Sequence, residues 1–96
     1  METLERKVRN ILKQQFSDEE IRFDHKPGER VSGFIISRKF EGLDSEARHE
    51  MIWRLLRAHL TSEERQQVLG FLDYTPAEEK FYIEVYEDPA QTEASR

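Results

Sequence analysis

Leu4, Val8, Ile11, Leu12 and Phe16 recur at intervals of three and four, with Arg6, Lys7, Arg9 and Lys13 between them. That spacing predicts an amphipathic helix over the first 16 residues. The period then shortens to two, as Ile21 and Phe23 alternate with Arg22 and Asp24. Pro27-Gly28 marks a turn, and the β-rich run Phe34–Phe40 follows, so two strands joined by a loop are expected. Gly42 breaks the second strand. Asp44 is placed to cap a second helix, with Glu46 in its first turn and Ala47, Met51, Ile52, Leu55, Leu56 and Leu60 as its buried stripe.

Thr61-Ser62-Glu63-Glu64 has the Thr-x-x-Glu spacing of a capping box, so a third helix is expected to begin there and to carry Val68, Leu69 and Leu72 on one face. Tyr74-Thr75-Pro76 is expected to end it, because proline disfavours helical geometry in the residue before it. Phe81–Tyr86 alternates and reads as a last strand. The predicted order is helix, strand, strand, helix, helix, strand: an α+β fold with a small three-stranded sheet and its helices on one face. One domain over residues 1–88 is expected, followed by a disordered polar tail at 89–96.

Composition narrows the function more than the fold. The chain has 96 residues, 36% apolar and 36% charged, with the charges mixed in sign, which argues for a folded chain with one modest core. It has no cysteine, so thiolate ligands and thiol nucleophiles are excluded and a reducing, cytoplasmic setting is expected. Its longest apolar runs fall far below the ~20 residues needed to span a bilayer. The net charge of −5 comes mostly from the part after Leu60, which makes the chain as a whole a poor partner for nucleic acid.

Candidate chemistry is sparse. A helix at about 100° per residue places Arg48 and His59 near the centre of the apolar stripe, with His49 at its edge beside Trp53 and Leu56. A core-facing guanidinium must snorkel or find an acceptor, so Arg48 reads first as securing the strand–helix joint and second as ligand-facing. His59 suits the negative end of its helix. His25 is expected to be exposed beside the Pro-Gly turn, and no ligand spacing in the chain gives it a metal. The acid pairs Glu19-Glu20, Glu63-Glu64 and Glu78-Glu79 are expected to point apart as solvated caps, and Tyr74, Phe81, Tyr82 and Tyr86 to be core and half-covered surface rather than a base-stacking platform. No nucleophile elbow or phosphate loop is present, so no catalytic residues are named.

The element order, with Phe-x-Gly at Phe40-Glu41-Gly42, Arg48-His49 at the head of the next helix, Met51-Ile52 behind it and Thr75-Pro76-Ala77-Glu78 further on, resembles the BolA family. The resemblance covers roughly residues 4–60. It implies a class II KH-like fold and a non-enzymatic adaptor that binds a protein partner, a monothiol glutaredoxin in that family, in iron-sulfur or stress-related regulation. His25, Phe40, Gly42, Arg48, His49 and Trp53 would form the partner-binding surface. The family's hairpin-loop ligand maps near Pro27 to Val31, where His25 is the nearest imidazole, and no histidine follows His59. The expectation is therefore an interaction surface without a metal or cofactor of its own. The alternative is a KH-like nucleic-acid module using Arg22, Lys26, Arg30, Arg38 and Lys39, although the chain lacks the Gly-x-x-Gly backbone clamp.

Overall fold

A computed structural model describes residues 3–82. Their order is α1 (Leu4–Leu12), β1 (Ile21–Phe23), β2 (Val31–Ile36), α2 (Ser45–His59), α3 (Ser62–Gln66), β3 (Val68–Tyr74) and α4 (Pro76–Tyr82), with short 3₁₀ turns at Asp18–Glu20 and Arg38–Phe40. The fold is α+β.

The first helix is capped by Thr3, whose hydroxyl accepts from the Arg6 N–H, and it ends at Leu12 rather than at Phe16. Phe16 reaches the core nonetheless, because the Gln14 and Phe16 amides close successive turns onto Ile11 and Leu12. The two hairpin strands form as expected, with Pro27-Gly28 at the turn closed by Glu29 N–H to Lys26 O at 3.0 Å. Strand β2 begins and ends earlier than its composition suggests. Its expected last residues, Arg38–Phe40, coil into a 3₁₀ turn because the Ser37 hydroxyl accepts the Lys39 amide.

The larger correction falls after Leu60. Of the expected third helix, only Ser62–Gln66 is helical, and the segment carrying Val68, Leu69 and Leu72 is the third strand. β1 and β2 run antiparallel and β3 lies parallel to β2, which puts β2 at the centre of a mixed sheet and β3 at one edge. Val68 and Phe71 turn inward, while Leu69 and Leu72 stay exposed. Pro76 likewise starts a helix instead of only stopping one: Thr75 Oγ1 accepts the Glu78 amide at 3.2 Å and Glu78 Oε1 accepts the Thr75 amide at 2.8 Å. This reciprocal box fixes α4, with proline at the position where its missing N–H does no harm. Phe81 and Tyr82, expected in a strand, belong to α4; the rest of that expected strand and the tail lie outside the described residues.

One core unites these elements. Val8, Ile11 and Leu12 of α1 and Ile52 and Leu56 of α2 pack on Ile21, Val31, Ile35, Val68 and Phe71 of the sheet. Ala47, expected in the stripe of α2, is exposed. α1 and α2 shield the inner face as predicted. α4 lies against the other face, where Glu79 and Tyr82 share a cavity with Arg22, Phe34, Ile36 and Tyr74.

Candidate functional site

The strand–helix joint is built from the residues that the sequence singled out, but they divide into structural and exposed groups. Phe40 is fully buried, its ring 5.5 Å from that of Phe16, so it anchors the core and cannot anchor a partner. Gly42 takes φ of +77°, a conformation that costs other residues about 1–2 kcal/mol, and this reversal brings the chain to Asp44. The Asp44 carboxylate then accepts the Ala47 amide at 2.8 Å and caps α2.

Arg48 secures the joint and does more. Its side chain is 12% exposed and lies with its guanidinium carbon 5.9 Å from the Phe40 ring centroid. Nε donates to Leu43 O at 2.9 Å, Nη1 to Glu78 Oε1 at 2.6 Å and to Asp73 O at 3.4 Å, and Nη2 to Glu78 Oε2 at 3.2 Å. One planar fork therefore ties the loop before α2, the end of β3 and the first turn of α4. Glu78, expected to be a solvated cap, is the paired carboxylate of this junction. Its neighbour Glu79 turns away to Arg22, so the two acids do point apart.

The junction opens into a cleft of about 600 Å³ lined by Leu43, Ser45, Arg48, Asp73, Tyr74, Ala77, Glu78, Phe81 and Tyr82. The Tyr74 and Tyr82 rings are 5.0 Å apart, and Phe81 meets Tyr82 edge-on at 5.8 Å. Hydrogen bonds from Arg48 and from the Thr75 amide hold the Glu78 carboxyl below the usual carboxylate range. Burial pushes the Asp73 carboxyl up, against the opposing pull of Arg48. Burial also raises Tyr74, helped by the nearby Tyr82, Asp73 and Glu78.

These opposite shifts predict a stability maximum on the acid side of neutrality. Protonating Asp73 relieves a half-buried charge, so stability rises as pH falls through its raised pKa. Protonating Glu78 removes the partner of Arg48, so stability present above the ordinary carboxylate range is lost as pH falls through its lowered pKa. Urea midpoints measured across the acid range should show this rise and fall. Asp73→Asn should abolish the rise and keep the fall; an unchanged profile in that variant would contradict the assignment.

The other sequence candidates are spread over the molecule. His25, expected to be exposed, is held: its side chain is 12% exposed, Nδ1 lies 3.3 Å from Ser32 O, Nε2 lies 3.3 Å from Glu5 Oε1, and the ring meets Phe23 edge-on. Among the described residues no group of three His, Cys, Asp or Glu side chains could hold a metal ion. His59 is exposed, with Nε2 3.4 Å from the Gln14 amide nitrogen. His49 is exposed and its ring lies 6.0 Å from that of Trp53. Trp53 is partly buried over Gly70, and its indole N–H is buried without a hydrogen-bond partner among the described residues. His49 shares a shallow pocket of about 340 Å³ with Leu69, Gly70, Phe71 and Leu72 of the edge strand.

Of the five basic residues of the nucleic-acid reading, Arg22 is paired with Glu79 and Lys39 donates to Gln15 O and lies over the Phe16 ring. Lys26, Arg30 and Arg38 are exposed. Sequence reasoning missed Asp73 and the pairing role of Glu78 in the cleft, and Leu69 and Leu72 on the surface. For Glu78 a usable signal existed, since Thr75-Pro76-Ala77-Glu78 has the same Thr-x-x-Glu spacing that was read correctly at Thr61. Among the described residues no helix is long and apolar enough to cross a membrane. No protein-family model, curated protein or solved structure matches the chain.

Proposed function

We propose that this chain is a non-enzymatic, cytoplasmic partner-binding module of BolA-like type that takes a monothiol glutaredoxin as its partner in iron-sulfur regulation. Two features support the reading. With β3 at Val68–Tyr74, the helix-strand-strand-helix-helix-strand order carrying the resemblance is present within residues 4–74. The observation that carries the surface is the edge strand itself: Leu69 is 66% exposed and Leu72 51%, beside the exposed His49. Among the described residues, the backbone groups of Leu69–Leu72 bond to no element other than β2.

An edge strand with open backbone groups and exposed leucines is a surface that soluble chains usually blunt with charge or proline. Here it offers backbone pairing and apolar contact at one place, which is what strand addition by a partner uses. On this reading the chain supplies surface rather than cluster ligands, since His25 is already held by Ser32 and Glu5.

Calorimetric titration with a monothiol glutaredoxin, with and without its cluster, tests the proposal. Binding is expected in at least one form. A Leu69→Glu/Leu72→Glu variant, both sites being solvent-facing, should fold normally and bind roughly ten-fold or more weakly. His25→Ala should leave affinity and the visible spectrum of the cluster unchanged. No heat of binding with either form removes the partner assignment, and unaltered affinity in the double variant removes the β3 surface.

A further inference from the structure

Alternation along the strands sends successive side chains to opposite faces of the sheet. Ile21, Ile35 and Phe71 enter the core, so Arg22, Phe34 and Leu72, which stand opposite one another across the three strands, point the other way. On this outer face Ile36 and Tyr74 form the next row, and Ser32 and Gly70 the row on the other side. α4 shelters the Ile36–Tyr74 end. Ile36 is buried there, whereas Phe34 is half-buried and Leu72 is 51% exposed. Two hollows adjoin along the face: one of about 330 Å³ between Phe34, Ile36, Tyr74 and Tyr82, and one of about 340 Å³ over Ser32 and Gly70, meeting at Asp24. An apolar trough of this kind calls for an occupant.

The chain itself supplies one. α4 ends at Tyr82, on the wall of the first hollow, and Ile83-Glu84-Val85-Tyr86-Glu87-Asp88 follows. Extended, such a segment puts Ile83 and Val85 on one side and Glu84 on the other. The Ile36–Tyr74 and Ser32–Gly70 rows are four residues apart along β2, about 13 Å at the rise of a strand. Six extended residues reach about 20 Å, enough to cross the face and bring Glu87 and Asp88 to the hairpin turn. There Lys26 and Arg30 are exposed and form no salt bridge among the described residues. The acids nearest to them in sequence are engaged locally, Glu29 by the Lys26 amide at 2.8 Å and Asp24 by the Ser32 hydroxyl at 2.6 Å. A separate molecule would have to meet an association cost of about 4–15 kcal/mol, which a tethered segment at an effective concentration in the millimolar range largely avoids.

We infer that residues 83–88 dock across the outer face of the sheet, with Ile83 and Val85 against Phe34 and Leu72 and with Glu87 and Asp88 beside Lys26 and Arg30. Leu72 also belongs to the β3 surface, so docking restricts access to that surface; this consequence alone rests on the glutaredoxin reading.

The chain has no cysteine, so Ala90→Cys gives a single site for a nitroxide label on the full-length ¹⁵N-labelled protein. Paramagnetic broadening should remove most of the intensity of the Lys26, Gly28 and Ser32 amides and spare those of Val8 and Leu12, which pack on the other face. Ile83→Ser/Val85→Ser in the same labelled chain should restore the lost intensity while the amide shifts of α1 and β2 stay in place, which separates lost docking from lost fold. Lys26→Glu/Arg30→Glu should restore it in part. No broadening at the hairpin, or broadening there that the serine variant leaves unchanged, would overturn the docking, and unchanged broadening in the glutamate variant would overturn its charged end. Broadening passed from a nitroxide-bearing, unenriched chain to a ¹⁵N-labelled chain without Ala90→Cys would give the face to a second copy instead. The test uses no protein partner, so its failure leaves the glutaredoxin titration unaffected.

Discussion

Replacing Gly33 with alanine is expected to break the β1–β2 pairing and to destabilise the chain by roughly 3 kcal/mol or more. Gly33 sits in the central strand opposite Phe23, and its own backbone needs no left-handed conformation. The constraint is space: a Cβ there would overlap the Arg22 carbonyl oxygen and stand 2.9 Å from Phe23 Cα. Both obstacles are backbone, so no rotamer change relieves them, and β1 has only three residues with which to re-register. Net stabilities of small domains are about 5–15 kcal/mol, so the loss is a large share of the total. Gly28→Ala is the control. Gly28 has open space around it and a φ of +87°, so its cost should stay near 1–2 kcal/mol. Urea denaturation of the two variants checks the difference, and a Gly33→Ala protein as stable as the control would show that the strands separate freely at this point.

Gly33 also illustrates what the sequence could not disclose. Local rules were enough wherever an element is stabilised by its own pattern: the stripe of α1, the Pro27-Gly28 turn, the Asp44 cap and the stripe of α2 centred on Ile52 and Leu56 were all legible. They failed where pairing partners decide. Val68, Leu69 and Leu72 satisfy a helical interval, but a short apolar run is equally a strand buried on one side, and periodicity alone cannot separate the two. Parallel pairing with Val31–Ile36, more than thirty residues earlier, supplied the missing information. Proline was read as an end when Thr75 and Glu78 make it a beginning. The expected element order survived this because a different segment became the third strand.

The site followed the same division. The inward tilt of Arg48 was readable from its angle on α2, and so was its need for an acceptor. The acceptor was not, since Glu78 lies 30 residues away on a helix that the pattern did not announce. Phe40 was recognised as a marked position, but its burial against Phe16 depends on the chain turning at Ser37 instead of continuing as a strand. Leu69 and Leu72 became visible as surface only once β3 was known to be an edge.

Arg48 therefore bears the second large expectation. Arg48→Lys should destabilise the chain by about 2 kcal/mol and Arg48→Ala by about 3 kcal/mol, because charge-assisted hydrogen bonds in partly buried positions are worth about 1.5–3 kcal/mol and lysine cannot reproduce the fork. For a domain of this size each kcal/mol corresponds to roughly 4–8 °C in melting temperature. The loss has a direction in space: without the fork, α4 keeps the Thr75–Glu78 box and the Arg22–Glu79 pair at its start but loses its tie to α2, and Asp73 loses a compensating charge. Hydrogen exchange should accordingly show α4 and the Leu43 region opening well before α1 and β2. Glu78→Gln should cost less than Arg48→Ala, and the double variant should fall short of the sum of the two, since they share one interaction. Additive losses would mean that Arg48 acts through the Leu43 and Asp73 carbonyls alone. A neutral Arg48→Lys would leave Arg48 free for a ligand and reverse its assignment to the joint.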